Sequence, residues 1–143
     1  MSMYNEADAR ALLDKVVKLS KADECTATLE GSVKGNARFA LNNVSTSGIV
    51  SDTVLSVRSA YGKRLGTATT NAYDDASLER VVRRAEELAQ LAPENPEFMP
   101  ALEKQVYRPS PTFNASVAGI RPDYRAKVAA DSIAPCRAAK MVA

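Results

Sequence analysis

Apolar and polar residues follow one rhythm at the start of the chain and another after it. Ala9, Leu12, Leu13, Val16 and Val17 recur at helical spacing behind Asn5, a good capping residue, with Arg10, Asp14, Lys15 and Lys18 on the other side. From Glu24 the period is two. Cys25, Ala27 and Leu29 alternate with Glu24, Thr26, Thr28 and Glu30, the pattern of a half-buried strand. Residues 31–35 (Gly-Ser-Val-Lys-Gly) read as a hairpin loop, 37–41 as a second strand, Asn42-Asn43 as a turn and 47–50 as a third strand. Residues 53–61 form the clearest strand. Val54 and Val57 break its strict alternation, which allows burial on both faces or a bulge. Gly62-Lys63-Arg64 turns the chain into a last strand, 65–70.

Helical spacing then returns, and strongly. Leu78, Val81, Val82, Ala85, Leu88, Ala89 and Ala92 form one stripe behind Asp74-Asp75, with Glu79–Arg83 and Arg83–Glu87 as i,i+4 pairs on the wet face, until Pro93 stops the helix. Five of the seven prolines fall between 93 and 111, which makes that stretch an extended linker or arm. A last helix starts at Pro122-Asp123, with Ala126, Ala129, Ala130, Ile133 and Ala134 on one side and Pro135 set to kink or end it. Its stripe of small residues buries little area alone, so it is expected to pack closely against something else. The predicted fold class is α+β: an N-terminal helix, a curved, mainly antiparallel sheet of about 4–5 strands, one long amphipathic helix, an extended arm and a C-terminal helix. The predicted organisation is a core over residues 1–92, a Pro-rich arm over 93–121 and a helix over 122–143.

Composition narrows the chemistry. The 143 residues suit one domain, and 45% hydrophobic with 25% charged residues is the balance of an ordinary globular protein. Histidine is absent. No Ser-His-Asp triad, Cys-His pair or histidine-bearing zinc site can be built from this chain, and two cysteines fall short of zinc's usual four ligands. Cys25 and Cys136 read as reduced thiols. The first twenty residues carry Glu6, Asp8 and Asp14 and no continuous apolar run, so a cytoplasmic protein without signal sequence or membrane anchor is expected. The net charge is +2. Residues 1–92 carry twelve charges of each sign, which argues against nucleic acid as a partner and leaves the excess to the last third.

The motifs lead mostly to bland readings. Gly62-Lys63-Arg64-Leu65-Gly66 has the glycines of a phosphate loop, but it joins two strands and no Ser or Thr follows its lysine, so it reads as a hairpin turn. Asp74-Asp75 precedes the best helical pattern, so helix capping is preferred over a metal carboxylate pair. Arg58, Lys63 and Arg64 form the densest basic group near the sheet, yet only Tyr61 is available for stacking. Cys136 has only Arg137 to lower its pKa, which speaks against a nucleophilic role.

Taken in order, several phrases resemble the N-terminal domain of the TldD/PmbA family, the metallopeptidases also called modulators of DNA gyrase. They are Lys21-Ala22-Asp23-Glu24, then Ala37-Arg38-Phe39-Ala40-Leu41-Asn42-Asn43-Val44, Leu55-Ser56-Val57-Arg58, and Gly62-Lys63-Arg64-Leu65-Gly66-Thr67-Ala68-Thr69-Thr70-Asn71. The helix after Asp75 and Pro93-Glu94-Asn95-Pro96-Glu97 complete the series. The resemblance spans residues 5–110. It implies a two-domain protein whose C-terminal domain holds zinc through an HExxxH motif and a further cysteine. It also implies homodimers or heterodimers of TldD/PmbA-type subunits enclosing a chamber that cleaves unfolded peptides.

None of that zinc motif occurs here, and Cys136 is not assigned its ligand role. The chain is therefore expected to hold no cofactor and no catalytic residue, and to be inactive by itself, zinc belonging to a catalytic domain outside it. What the resemblance carries over is a scaffold for assembly and substrate admission, with Asn42, Asn43, Arg58 and Arg64 as candidate lining residues of a peptide channel. A stand-alone module that binds a complete paralogue is the alternative, and a nucleic-acid-binding α+β domain a third reading.

Overall fold

The computed structural model describes residues 4–143; residues 1–3 of the expected 1–92 core lie outside the described residues. The elements run α1 (Glu6–Leu19), β1 (Glu24–Ala40), β2 (Asn43–Tyr61), β3 (Arg64–Thr70), α2 (Asp75–Leu91), α3 (Ala115–Ala118) and α4 (Pro122–Ala138). The strands form one antiparallel sheet in the order β1-β2-β3, so the fold is α+β. The expected four to five strands are three longer ones. The predicted loop at 31–35 lies inside β1, and the separately predicted strands at 47–50 and 53–61 are parts of β2.

The described residues gather into two compact units. One comprises the chain up to Ser32 together with Asp52–Gln105, and the other Val33–Ser51 with Val106–Ala143. The core of the first unit is the meeting of the rhythms read above. Val16 from α1, Leu55 and Val57 from β2, and Leu78, Val81, Val82 and Ala85 from α2 form one buried cluster, with Leu12, Leu13, Cys25, Ala27 and Leu29 packed around it. Burying side chains such as Leu78 and Val82 contributes about 1.5–3 kcal/mol each. Val17, placed on the apolar face by its spacing, is 46% exposed.

The helix ends follow the expected chemistry. The Asn5 side chain accepts the Asp8 amide at 2.8 Å, and the Asp74 side chain accepts the Ser77 amide at 3.0 Å, so Asp74 rather than Asp75 caps α2. Asp75 instead pairs with Lys15 of α1 at 2.5 Å. β3 reaches α2 closely because Gly66 has no side chain: a Cβ there would run into the backbone of Ala85, Leu88 and Ala89.

In the second unit, Leu41 and Asn42 carry φ of 51° and 60°, the two left-handed central residues of a type I′ hairpin turn. The expected turn at Asn42-Asn43 therefore sits one residue earlier. Ala129 and Ile133 are the buried members of the small-residue stripe on α4. The helix continues through Pro135 to Ala138.

Candidate functional site

The expected lining residues fall into both units and into different kinds of environment. Asn42 and Asn43 sit at the turn of the second unit, where their own chain engages both polar atoms of each side-chain amide. Asn42 Nδ2 donates to the Met141 carbonyl at 3.0 Å, and Asn42 Oδ1 accepts the Ala143 amide at 2.9 Å. Arg137 Nη2 donates to the Asn42 carbonyl at 2.5 Å and reaches Asn43 Oδ1 at 3.4 Å. Asn43 Nδ2 donates to the Leu41 carbonyl at 3.2 Å. An open cleft of about 410 Å³ between this turn and Ala130, Ile133, Ala134 and Arg137 adjoins them.

Arg58 and Arg64 belong to the first unit. In the register Arg58 lies opposite Thr67 and Arg64 opposite Tyr61. Cross-strand partners share a face, and positions 58 and 61 are an odd number of residues apart, so the two arginines project from opposite faces of the sheet. Arg64 reaches the Gln90 carbonyl at the C-terminal end of α2 at 3.4 Å, a favourable place for a cation. Arg58 is exposed on the other face.

The turn between β2 and β3 is occupied by its own chain as well. The Gly62 amide, which a phosphate loop would aim at an anion, donates to the carboxylate of Asp23 at 2.8 Å, and the Lys63 carbonyl accepts the Asn95 amide at 2.9 Å. With Gly62 at φ 57° this is a closed hairpin turn.

One polar cluster went unread in the sequence. Glu86 was not assigned among the i,i+4 pairs of α2, yet it is 5% exposed and accepts from the Lys21 amide at 2.5 Å, from Ser20 Oγ at 3.1 Å and from Arg83 at 2.5 Å. Arg83 also donates to the Leu19 carbonyl at 2.7 Å. The expected Glu79–Arg83 and Arg83–Glu87 pairs are replaced by Arg83–Glu86 and Arg84–Glu87, because Arg83 turns toward the end of α1. Burial raises the Glu86 pKa, but the Lys21 amide, Arg83 and Ser20 outweigh it and hold the carboxyl below its ordinary value. This cluster joins α1 to α2 and has the character of a structural staple. The only signal for it in the sequence was a glutamate beside the apolar stripe of α2.

Zinc finds no seat among these side chains. No group of three or more His, Cys, Asp or Glu residues gathers among the described residues, and Cys25 and Cys136 are both free thiols. The donor set does not fit a tetrahedral zinc centre, and no catalytic step is assigned to this chain. No helix among the described residues is long and apolar enough to cross a membrane.

Comparison with known proteins gives these elements a context. The family model for PmbA/TldA metallopeptidase domain 1 matches residues 27–89, from β1 to the end of α2. No curated protein matches the sequence. Among solved structures, TldE from Thermococcus kodakarensis superposes with a TM-score of 0.75 at 22% identity, covering 90% of this chain and 29% of that one. A modulator of DNA gyrase from Bacteroides thetaiotaomicron superposes with a TM-score of 0.69 at 16% identity, covering 87% of this chain and 30% of that one. The chain thus spans less than a third of the length of either structure. At these identities the structures establish a shared fold, and residues 27–89 are similar in sequence to the first domain of the PmbA/TldA metallopeptidases.

Proposed function

We propose that this chain serves as an assembly and substrate-admission domain of a TldD/PmbA-type zinc metallopeptidase acting on unfolded peptides, the catalytic residues being supplied from outside it. The observation that carries the reading is the family match over β1–α2, joined to a sheet whose β2 outruns its neighbour. β3 pairs with β2 only from Leu55 to Tyr61, so the earlier part of β2 has a free edge among the described residues. An extended peptide that adds to such an edge gains backbone hydrogen bonds with little dependence on its sequence.

In this reading the partner is a TldD/PmbA-type subunit, as a homodimer or a heterodimer. The test is to mix the purified chain with a complete family member and measure mass by size-exclusion chromatography with light scattering. Co-elution supports the assembly role, and independent elution at all ratios removes it. A fluorogenic unstructured peptide with added zinc tests the second part. The chain alone gives no turnover, and zinc-dependent turnover abolished by a chelator would contradict the assignment of catalysis elsewhere.

A further inference from the structure

The net charge of +2 conceals a strong separation of charge. The unit formed by Val33–Ser51 and Val106–Ala143 holds eight Lys or Arg residues against only Asp123 and Asp131, whereas the other unit holds eleven basic and fifteen acidic residues. The two carboxylates of the basic unit are already engaged, Asp123 with Arg121 at 3.4 Å and Asp131 with Lys127 at 2.8 Å. Lys34 and Arg38 on β1 and Arg125 on α4 have no acid left within their own unit to neutralise them. A field of one sign steers and concentrates ligands of the other.

Arg125 adds geometry to the charge. Its guanidinium lies flat on Gly35, at 2.5 Å from where a Cβ would stand, so β1 carries a glycine there. Arg125 Nη1 donates to the Ile120 carbonyl at 3.3 Å, while Nε and Nη2 are buried with no hydrogen-bond partner among the described residues. Those two nitrogens form one edge of the guanidinium fork, the edge that takes both oxygens of a carboxylate. Leaving such donors buried and unpaired is unfavourable, and a carboxylate reaching them would relieve it. Beside them opens a cleft of about 320 Å³ whose walls include Phe39, Tyr124 and Val128. The nearby stretch of β2 from Asn43 to Ser51 contains no Lys, Arg or Pro, the residues that ordinarily guard a strand edge against pairing.

We propose that this unit docks an acidic, extended polypeptide segment, with a carboxylate of the segment on the Nε/Nη2 edge of Arg125 and, because side chains of β1 alternate between faces, the acidic side chains on the segment's other face near Lys34 and Arg38. The inference rests on the reading of the domain as peptide-admitting and adds the chemical class of the segment admitted. The free strand edge and the single-carboxylate geometry at Arg125 favour a peptide over a nucleic acid.

Fluorescence anisotropy on the full chain tests it, with a labelled ten-residue peptide carrying Glu on both faces of its extended form (Glu-Glu pairs separated by Thr or Val), its Glu-to-Gln counterpart, and a single-stranded oligothymidine of equal length. The acidic peptide binds about tenfold more tightly than the Gln peptide, and the preference shrinks as salt rises. Arg125→Gln and the exposed pair Lys34→Gln with Arg38→Gln each weaken acidic-peptide binding about three- to tenfold, whereas Lys18→Gln in the other unit does not. Far-UV circular dichroism verifies the fold of Arg125→Gln, and the exposed pair provides an arm independent of it.

Equal binding of both peptides would overturn the acidic preference while leaving peptide admission standing. Absence of binding by either peptide would overturn both. Oligothymidine binding as tight as the acidic peptide's would make the surface a general polyanion site and overturn the assignment, as would salt-sensitive self-association of the chain that excludes the peptide.

Discussion

The carboxylate of Glu86 accepts the backbone N–H of Lys21 at 2.5 Å, tying the residues just after α1 to the middle of α2. The same carboxylate holds Ser20 and Arg83. Glu86→Gln removes the charge and at least one of these bonds within a buried setting, and is expected to cost about 1.5–3 kcal/mol of stability. Urea denaturation followed by circular dichroism measures it. A midpoint unchanged from wild type would mean that the staple is dispensable.

The pH dependence follows from the same group. Glu86 has a folded-state pKa below its ordinary value of about 4.3. Its contribution is therefore complete above that ordinary value and is lost as pH falls through the lowered folded value. Asp74, held down by hydrogen bonds from Ser77, acts in the same direction. Urea midpoints should drop between pH 7 and pH 3, and drop less in Glu86→Gln. Parallel decreases in the two proteins would exclude Glu86 as a source of acid sensitivity.

Gly66→Ala places a methyl group against the backbone of Ala85, Leu88 and Ala89. Backbone cannot rotate away as a side chain can, so a loss of about 3 kcal/mol, at the upper end of overpacking costs, is expected. Gly62→Ala is the comparison. It meets no neighbour but sits at φ 57°, and should cost about 1 kcal/mol from the left-handed backbone alone. Thermal melts of the two variants should rank in that order.

Leu41 is 76% exposed and has φ 51°. Leu41→Asn exchanges a residue disfavoured in that conformation for one that adopts it readily, with little apolar burial to lose. A gain of about 1 kcal/mol is expected. Thermal unfolding that shows no increase in Tm would refute the strain at this turn.

Ser59 is fully buried on β2, and its hydroxyl has no hydrogen-bond partner among the described residues. Ser59→Ala keeps the volume nearly constant and removes an unsatisfied polar group. It should stabilise the protein by about 1 kcal/mol. A destabilised variant would reveal a partner for the hydroxyl.

What the sequence revealed was local. Asn5 and Asp74 caps, the α2 stripe from Leu78 to Ala89 and the alternation of Cys25, Ala27 and Leu29 all depend on neighbours a few residues away, and all recur in the structure. Glycine at 31 and 35 looked like a loop because glycine favours turns. At 35 its purpose is to admit the guanidinium of Arg125, a residue far along the chain that no local pattern announces. Glu86 was hidden for the same reason: its partners Ser20 and Lys21 lie on another element. Among the candidate lining residues, Asn42 was legible as part of a turn. That Arg58 and Arg64 face apart needed the β2–β3 register, which hydrophobic periodicity alone does not fix.

The chain leaves the first unit after Ser32 and re-enters it at Asp52. To the folding of that unit, everything between is a detour whose closure entropy grows only with the logarithm of its length, about 0.6 kcal/mol for each doubling. A change in the length of this long hairpin therefore costs the first unit little, whereas the Glu86 staple and the Gly66 contact are sensitive to single substitutions. A fold divided in this way can vary one unit without renegotiating the core of the other.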